Sequence, residues 1–245
     1  MNDQILSVSR TLIFVASIAV AGAVFADNPP ADKDQPEIVS VPLTNAYIPS
    51  GFDSNDRVRL MVEGYFPSTC YRVREPQLDR NDGAIAVNQT AFKYNGPCLW
   101  MMVSYSQPIN VGILKSSTYT LKDNHTGRVL GQLPIKVAVN NGPDDFMYAN
   151  VKDAYVAFVD GNKRAIVLTG VLPGDCWSLK EKRIFQDGKN VLTVLPILEK
   201  TERAQCNDYE IPFVSTIDIP AVAAGRYMLH VRSLNGDSVA KLVDL

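Results

Sequence analysis

The sequence predicts an all-β fold: two tandem β-sandwich domains of immunoglobulin-like architecture, each with one intradomain disulfide. Three observations predict it. Gly-x-x-Pro-x-x-Cys-aromatic occurs twice, in GYFPSTCYRV at 64–73 and GVLPGDCWSL at 170–179. Each copy continues to a second cysteine at a near-equal distance, Cys70 to Cys98 and Cys176 to Cys206, separations of 28 and 30. Inside each copy the apolar residues alternate with period two, in short runs bounded by turn residues.

The alternation is clearest in RVRLMVE, where Val58, Leu60 and Val62 alternate with Arg59, Met61 and Glu63. Tyr227, Leu229 and Val231 alternate likewise with Met228, His230 and Arg232. That is the pattern of a strand with one buried face. AYVAFV, NVLTVLPIL and LWMMVSY are β-branched or aromatic runs of strand length. Asp-Gly at 82, 160 and 187 and Asn-Gly at 95, 141 and 235 supply the positive-φ positions of tight turns. No window carries a sustained 3.6-residue apolar period, so strands packed in two layers are expected, with closure into a barrel as the competing arrangement.

The repeat reaches beyond its motif. Ala46-Tyr47 matches Ala154-Tyr155, Phe52 matches Phe158 and Arg57 matches Arg164. Gly83 and Gly188 follow the first cysteine of their copies by 13 and 12 residues, and Tyr119 and Tyr227 head strands that turn at Gly127 and Gly236. The expected organisation is therefore a signal peptide at 1–26, a flexible leader at 27–40, repeat 1 at 41–140, a linker at 141–150 and repeat 2 at 151–245. Phe146, Met147 and Tyr148 in the linker either pack between the domains or begin the first strand of repeat 2.

The leader assignment fixes the expected compartment. Arg10 precedes an uncharged run over 11–26 that ends in Val24-Phe25-Ala26, the small-x-small pattern of a cleavage site. An uncleaved anchor is the competing reading, because Asp3 offsets Arg10. A periplasmic or extracellular mature chain without an integral membrane segment is expected. Its four cysteines would then be paired, Cys70–Cys98 and Cys176–Cys206, since local pairing within each copy is the economical choice. Each closed loop should stabilise the fold by about 3 to 4 kcal/mol. A four-thiolate zinc site would need closely spaced cysteine pairs, which are absent.

Composition narrows the function. The 245 residues carry a net charge of -2, which gives no basic field for nucleic acid. No Gly-x-Ser-x-Gly, His-Glu-x-x-His, Walker or dinucleotide pattern occurs, so no catalytic residues and no cofactor are assigned. His125 lies in the turn DNHTG, and His230 falls on the register expected to face solvent. Acidic clusters at Asp53, Asn55 and Asp56, at Asp160 and Asn162, and at Asp144 and Asp145 lack calcium-loop spacing and read as turn formers; no metal is assigned.

The stretches AYIPSGFDSNDRVRLMVEGYFPSTCYRV and AYVAFVDGNKRAIVLTGVLPGDCWSL together resemble exported bacterial proteins built of disulfide-containing, immunoglobulin-like β modules. Such modules share no catalytic residues, so the resemblance implies compartment and architecture only. The expectation is a noncatalytic secreted protein for binding or structural support, with an unknown protein or glycan as partner. An inhibitor or adhesin would engage that partner through one loop, and KYNGPCLWMM, with Tyr94, Trp100 and Met101, is the candidate. Core packing beside the disulfide is the competing role for Trp100. A hydrolase with carboxylates converging from distant loops is the remaining alternative.

Overall fold

The computed structural model describes residues 35–245 apart from Asp82, Asp160, Asn162, Lys189 and Ala204. The segment expected to be a signal peptide and most of the expected leader lie outside these residues, as do two of the acidic positions, Asp160 and Asn162. The described residues form one compact unit in which strands dominate and no α-helix occurs.

Module 1 contains β1 (Glu37–Ser40), β2 (Leu43–Tyr47), β3 (Val58–Phe66), β4 (Tyr71–Val73), β5 (Gln77–Asn81), β6 (Ala84–Asn88), β7 (Thr90–Lys93), β8 (Val103–Gly112), β9 (Ser117–Asp123) and β10 (Val129–Ile135). Module 2 contains β11 (Asn150–Val159), β12 (Lys163–Leu172), β13 (Trp177–Asp187), β14 (Val191–Lys200), β15 (Ile211–Asp218), β16 (Arg226–Ser233), a 3-10 turn (Leu234–Gly236) and β17 (Asp237–Asp244). Strand β1 occupies 37–40, inside the segment expected to be a flexible leader, and pairs antiparallel with β7.

The modules repeat one plan. Sheet β2-β3-β8 corresponds to β11-β12-β15, and β10-β9-β6-β5 to β17-β16-β14-β13. Both contain one parallel pair, β6 with β9 and β14 with β16, which the sequence did not announce. A parallel neighbour requires a crossover. Here the intervening strands, β7 and β8 in module 1 and β15 in module 2, belong to other sheets, so the chain leaves the layer and returns to it, building a sandwich. Each core gathers the inward faces of its layers, Leu60, Ile85, Ile109 and Leu121 in module 1 and Ile166, Leu168, Leu192 and Leu229 in module 2.

The two expected disulfides join Cys70 to Cys98 and Cys176 to Cys206, with Cα atoms 5.5 Å apart in each. Gly127 and Gly236 turn with φ of 72° and 70°, the left-handed region in which a Cβ is strained. Gly64 and Gly170, which open the repeated motif, do not turn the chain. Both lie within strands, β3 and β12, and neither has positive φ. A Cβ on Gly64 would sit 2.3 Å from the Tyr105 hydroxyl, and one on Gly170 would sit 2.3 Å from the Asn150 carbonyl. The motif glycine is there because neighbouring strands press onto it. The match of Phe52 to Phe158 also does not survive folding, because Phe52 is buried in a loop while Phe158 is an exposed residue of β11.

The modules are joined through their sides. Tyr47 and Met61 from module 1 pack with Val191 and Met228 from module 2 in a separate apolar cluster. Around it Arg232 pairs with Asp56, both buried, and Arg226 pairs with Glu63 at 3.1 Å. Ser50 donates to Asp187 through both its backbone N–H and its hydroxyl. The linker is tied to module 2: the Asp144 carboxylate accepts the N–H groups of Asn235 and Gly236 at 2.7 and 2.8 Å, and Tyr148 forms a bridge with Ile197.

These contacts correct the placement of His230. It is 1% exposed, because the face of β16 carrying Met228, His230 and Arg232 is covered by module 1. A strand between a core and a neighbouring module has two buried faces, so period-two polarity does not mark solvent here.

Candidate binding loop

Residues 94–102 connect β7 to β8 and cross between layers over the first disulfide. Their backbone is pinned from below. Tyr94 donates its N–H to the Cys70 carbonyl at 2.9 Å, and Leu99 donates its N–H to the Thr69 hydroxyl at 3.1 Å. The Leu99 carbonyl accepts N–H groups from Thr69 and Met101, each at 3.1 Å. Gly96 takes a φ of 142°, open to glycine and strained for other residues.

The backbone is held while the side chains are left outside. Leu99 is 68% exposed, Trp100 86%, Met101 53% and Met102 68%. The core-packing role for Trp100 is therefore overturned: the indole is among the most exposed large side chains of the described residues, and the disulfide beside it is itself only half-buried. Tyr94 is also exposed, and Tyr65, whose cross-strand partner is Ser104, adds a further ring near the base of the loop. Arg72 reaches the Thr69 carbonyl at 3.4 Å and places a cation beside the apolar run. Trp, Tyr, Met and Arg are the residue types that concentrate binding energy at protein interfaces.

The sibling loop in module 2 supplies an internal control. It runs from 201 to 210 between β14 and β15 and crosses the second disulfide in the same way, with Thr201 donating to the Cys176 carbonyl at 2.7 Å. Its exposed positions include Glu202, Arg203, Asn207, Asp208 and Glu210, with Tyr209 the one exposed aromatic among its described residues. The same structural position is thus polar in one module and apolar in the other. The architecture does not require Leu-Trp-Met-Met at this place, so its exposure needs another cause.

Sequence reasoning picked out Tyr94, Trp100 and Met101, and the structure brings them together on one loop. It passed over Leu99, Met102 and Tyr65. The available signal was the unbroken run of four large apolar residues after Cys98, since a half-buried strand would have alternated.

The other candidates resolve differently. The Asp53 and Asp56 carboxylates are engaged within the protein: Asp56 accepts the Asp53 N–H at 2.9 Å as well as pairing with Arg232, and Asp53 accepts the Asn55 N–H at 3.2 Å. The Asn55 side-chain amide donates to the carbonyls of Asn140 and Gly142, which joins this turn to the linker. Burial raises the pKa of Asp53, opposed by the Asn55 bond. Asp175, Cys176 and Cys206 come close to one another, but both sulfurs belong to the disulfide and are not thiolate ligands. His125 is exposed on its turn. Among the described residues no helix is long and apolar enough to cross a membrane. Comparison of the chain with protein-family models, with curated proteins and with solved structures gives no match.

Proposed function

We propose that the chain is a noncatalytic binding protein of the periplasm or the cell exterior, in which a tandem sandwich presents loop 94–102 to a protein or glycan partner. The observation that carries this reading is the outward display of Leu99, Trp100, Met101 and Met102 on a backbone fixed by the Cys70–Cys98 disulfide. A fixed loop loses little conformational freedom on binding, which favours affinity from a small contact area. Two disulfides suit an oxidising compartment.

The test is site-specific photo-crosslinking in the native envelope. A benzophenone side chain at position 102 should capture one partner, and Trp100→Ser should remove that product without changing the melting temperature. The same probe at Tyr209, on the sibling loop, should capture nothing in common. Equal products from both loops, or a product indifferent to Trp100→Ser, would reject the loop as the binding site.

A further inference from the structure

The outer face of sheet β13-β14-β16-β17 is ruled into cross-strand rows. Phe185 is the partner of Thr193, Thr193 of His230 and His230 of Ala240. Cross-strand partners share a face, so Phe185, Thr193 and His230 stand side by side on adjacent strands. Module 1 covers the His230 end, where the Phe52 ring meets the imidazole edge-on at 5.6 Å. Phe146 and Tyr148 of the linker, at 6.1 Å from each other, form an adjoining wall. Between these surfaces lies a cavity of 160 Å³ lined by Phe146, Tyr148, Phe185, Thr193, Leu195 and His230, among others.

Two side chains of the cavity lining are buried without use, and because their nitrogen and hydroxyl atoms have almost no accessible surface, a ligand reaches them only by a small rotation of those side chains. His230 is 1% exposed and Thr193 3%. Neither imidazole nitrogen, nor the Thr193 hydroxyl, has a hydrogen-bond partner among the described residues. A buried donor or acceptor that nothing satisfies destabilises the folded chain. Arg232, which also lines the cavity, does not explain them, because it is satisfied by the Asp56 carboxylate and the Pro143 carbonyl.

Size and polarity define what fits. An apolar cavity of about 150 Å³ accommodates benzene, so the space takes one six-membered ring. Aromatic walls favour a ring in edge or offset contact. A neutral imidazole offers one acceptor nitrogen, and a hydroxyl can donate to it while accepting from the Thr193 hydroxyl. Asp145 in the lining opposes a carboxylate, and Arg232 opposes an ammonium. We propose that this cavity binds a small neutral ring compound bearing one hydroxyl, of phenol size, with its ring against Phe146 and Phe185 and its hydroxyl between Thr193 and His230. The site is separate from loop 94–102, and neither reading depends on the other.

Phenol titrated into the full chain and followed through the imidazole NMR signals tests this directly. His125, exposed on its turn, is the internal control. The expected result is a saturable shift of the His230 signals alone, with Kd of about 1 mM for a ligand of this size. Benzene should bind about tenfold more weakly, the worth of one satisfied hydrogen-bonding group. Thr193→Val, close in shape, should weaken phenol about tenfold and leave benzene unchanged. Leu195→Trp should fill the space and abolish both, whereas Trp100→Ser should bind phenol as the parent chain does. Absence of saturation up to about ten times that Kd would mean that water alone satisfies His230 and Thr193. Equal affinity for phenol and benzene, or indifference to Thr193→Val, would equally overturn the proposal.

Discussion

Asp175 and Asn207 hold each other across the second disulfide: the Asp175 carboxylate accepts the Asn207 backbone N–H and side-chain amide, each at 2.9 Å, and the Asp175 N–H donates to the Asn207 carbonyl at 3.3 Å. Thr69 and Leu99 do the same across the first, with a hydroxyl in place of the carboxylate. The residue before the first cysteine thus grips the residue after the second in both modules. The two bonds from Asn207 hold the Asp175 pKa below the usual carboxylate value. A depressed pKa contributes stability that is present above the unfolded value, near 4, and lost as pH falls through the folded one. Asp175→Ala should lower the melting temperature by a degree or two at pH 7 and by less at pH 2.5; Asp175→Asn, which keeps an acceptor, should lie between. Calorimetry at the two pH values checks the order.

Removing one partner of the Asp56–Arg232 pair strands a charge. Both are buried, at 2% and 8% side-chain exposure, so solvent does not rescue the survivor. Asp56→Ala should destabilise by about 3 to 5 kcal/mol, whereas a double replacement by leucine and methionine should cost far less. Urea denaturation of the single and double variants measures the difference.

His230 makes the joint between the modules sensitive to acid. Burial, followed by the nearby charges of Arg232 and Arg59, lowers its pKa to about 3, against an ordinary value of 6.5. The unfolded chain therefore binds a proton between these values that the folded chain refuses. Stability is full above about pH 6.5 and declines as pH falls toward 3. His230→Leu should flatten the fall in melting temperature between pH 6.5 and 4 relative to the parent chain. An unchanged slope would show that the imidazole is protonated in place.

The motif glycines should tolerate alanine unequally. Gly170→Ala meets the Asn150 backbone carbonyl, which has no rotamer to escape into, and should cost about 2 to 3 kcal/mol. Gly64→Ala first meets the Tyr105 side chain, so Tyr105→Phe should recover part of the loss; the Pro42 carbonyl, 2.6 Å from the added carbon, prevents full recovery. Equilibrium unfolding of the three variants tests both statements.

Strand patterning and the repeated cysteines were legible because each reflects a local rule, period two for a half-buried strand and equal spacing for a duplicated loop. Val58, Leu60 and Val62 face the core as their alternation requires. What escaped was whatever depends on the other module. Met61 and His230 alternate with core residues and so look like surface, yet both are buried where the modules meet. The parallel pairing of Val191 with Met228 escaped for a related reason, since pairing of strands far apart in sequence leaves no trace in the period of either. Trp100 was recognised as a candidate, but its exposure was not, because an aromatic residue beside a disulfide fits a core as readily as a surface.

The parallel ladders of the two modules place Thr120 where Met228 stands and Lys122 where His230 stands. Module 2 offers an oily, closely fitted socket at these positions, filled by Tyr47, Met61 and Phe52 of module 1. Module 1 offers there only a half-buried threonine and an exposed lysine. The molecule therefore has a direction. One module carries the socket and the other the side chains that fill it, so the two are alike in plan and not interchangeable in place.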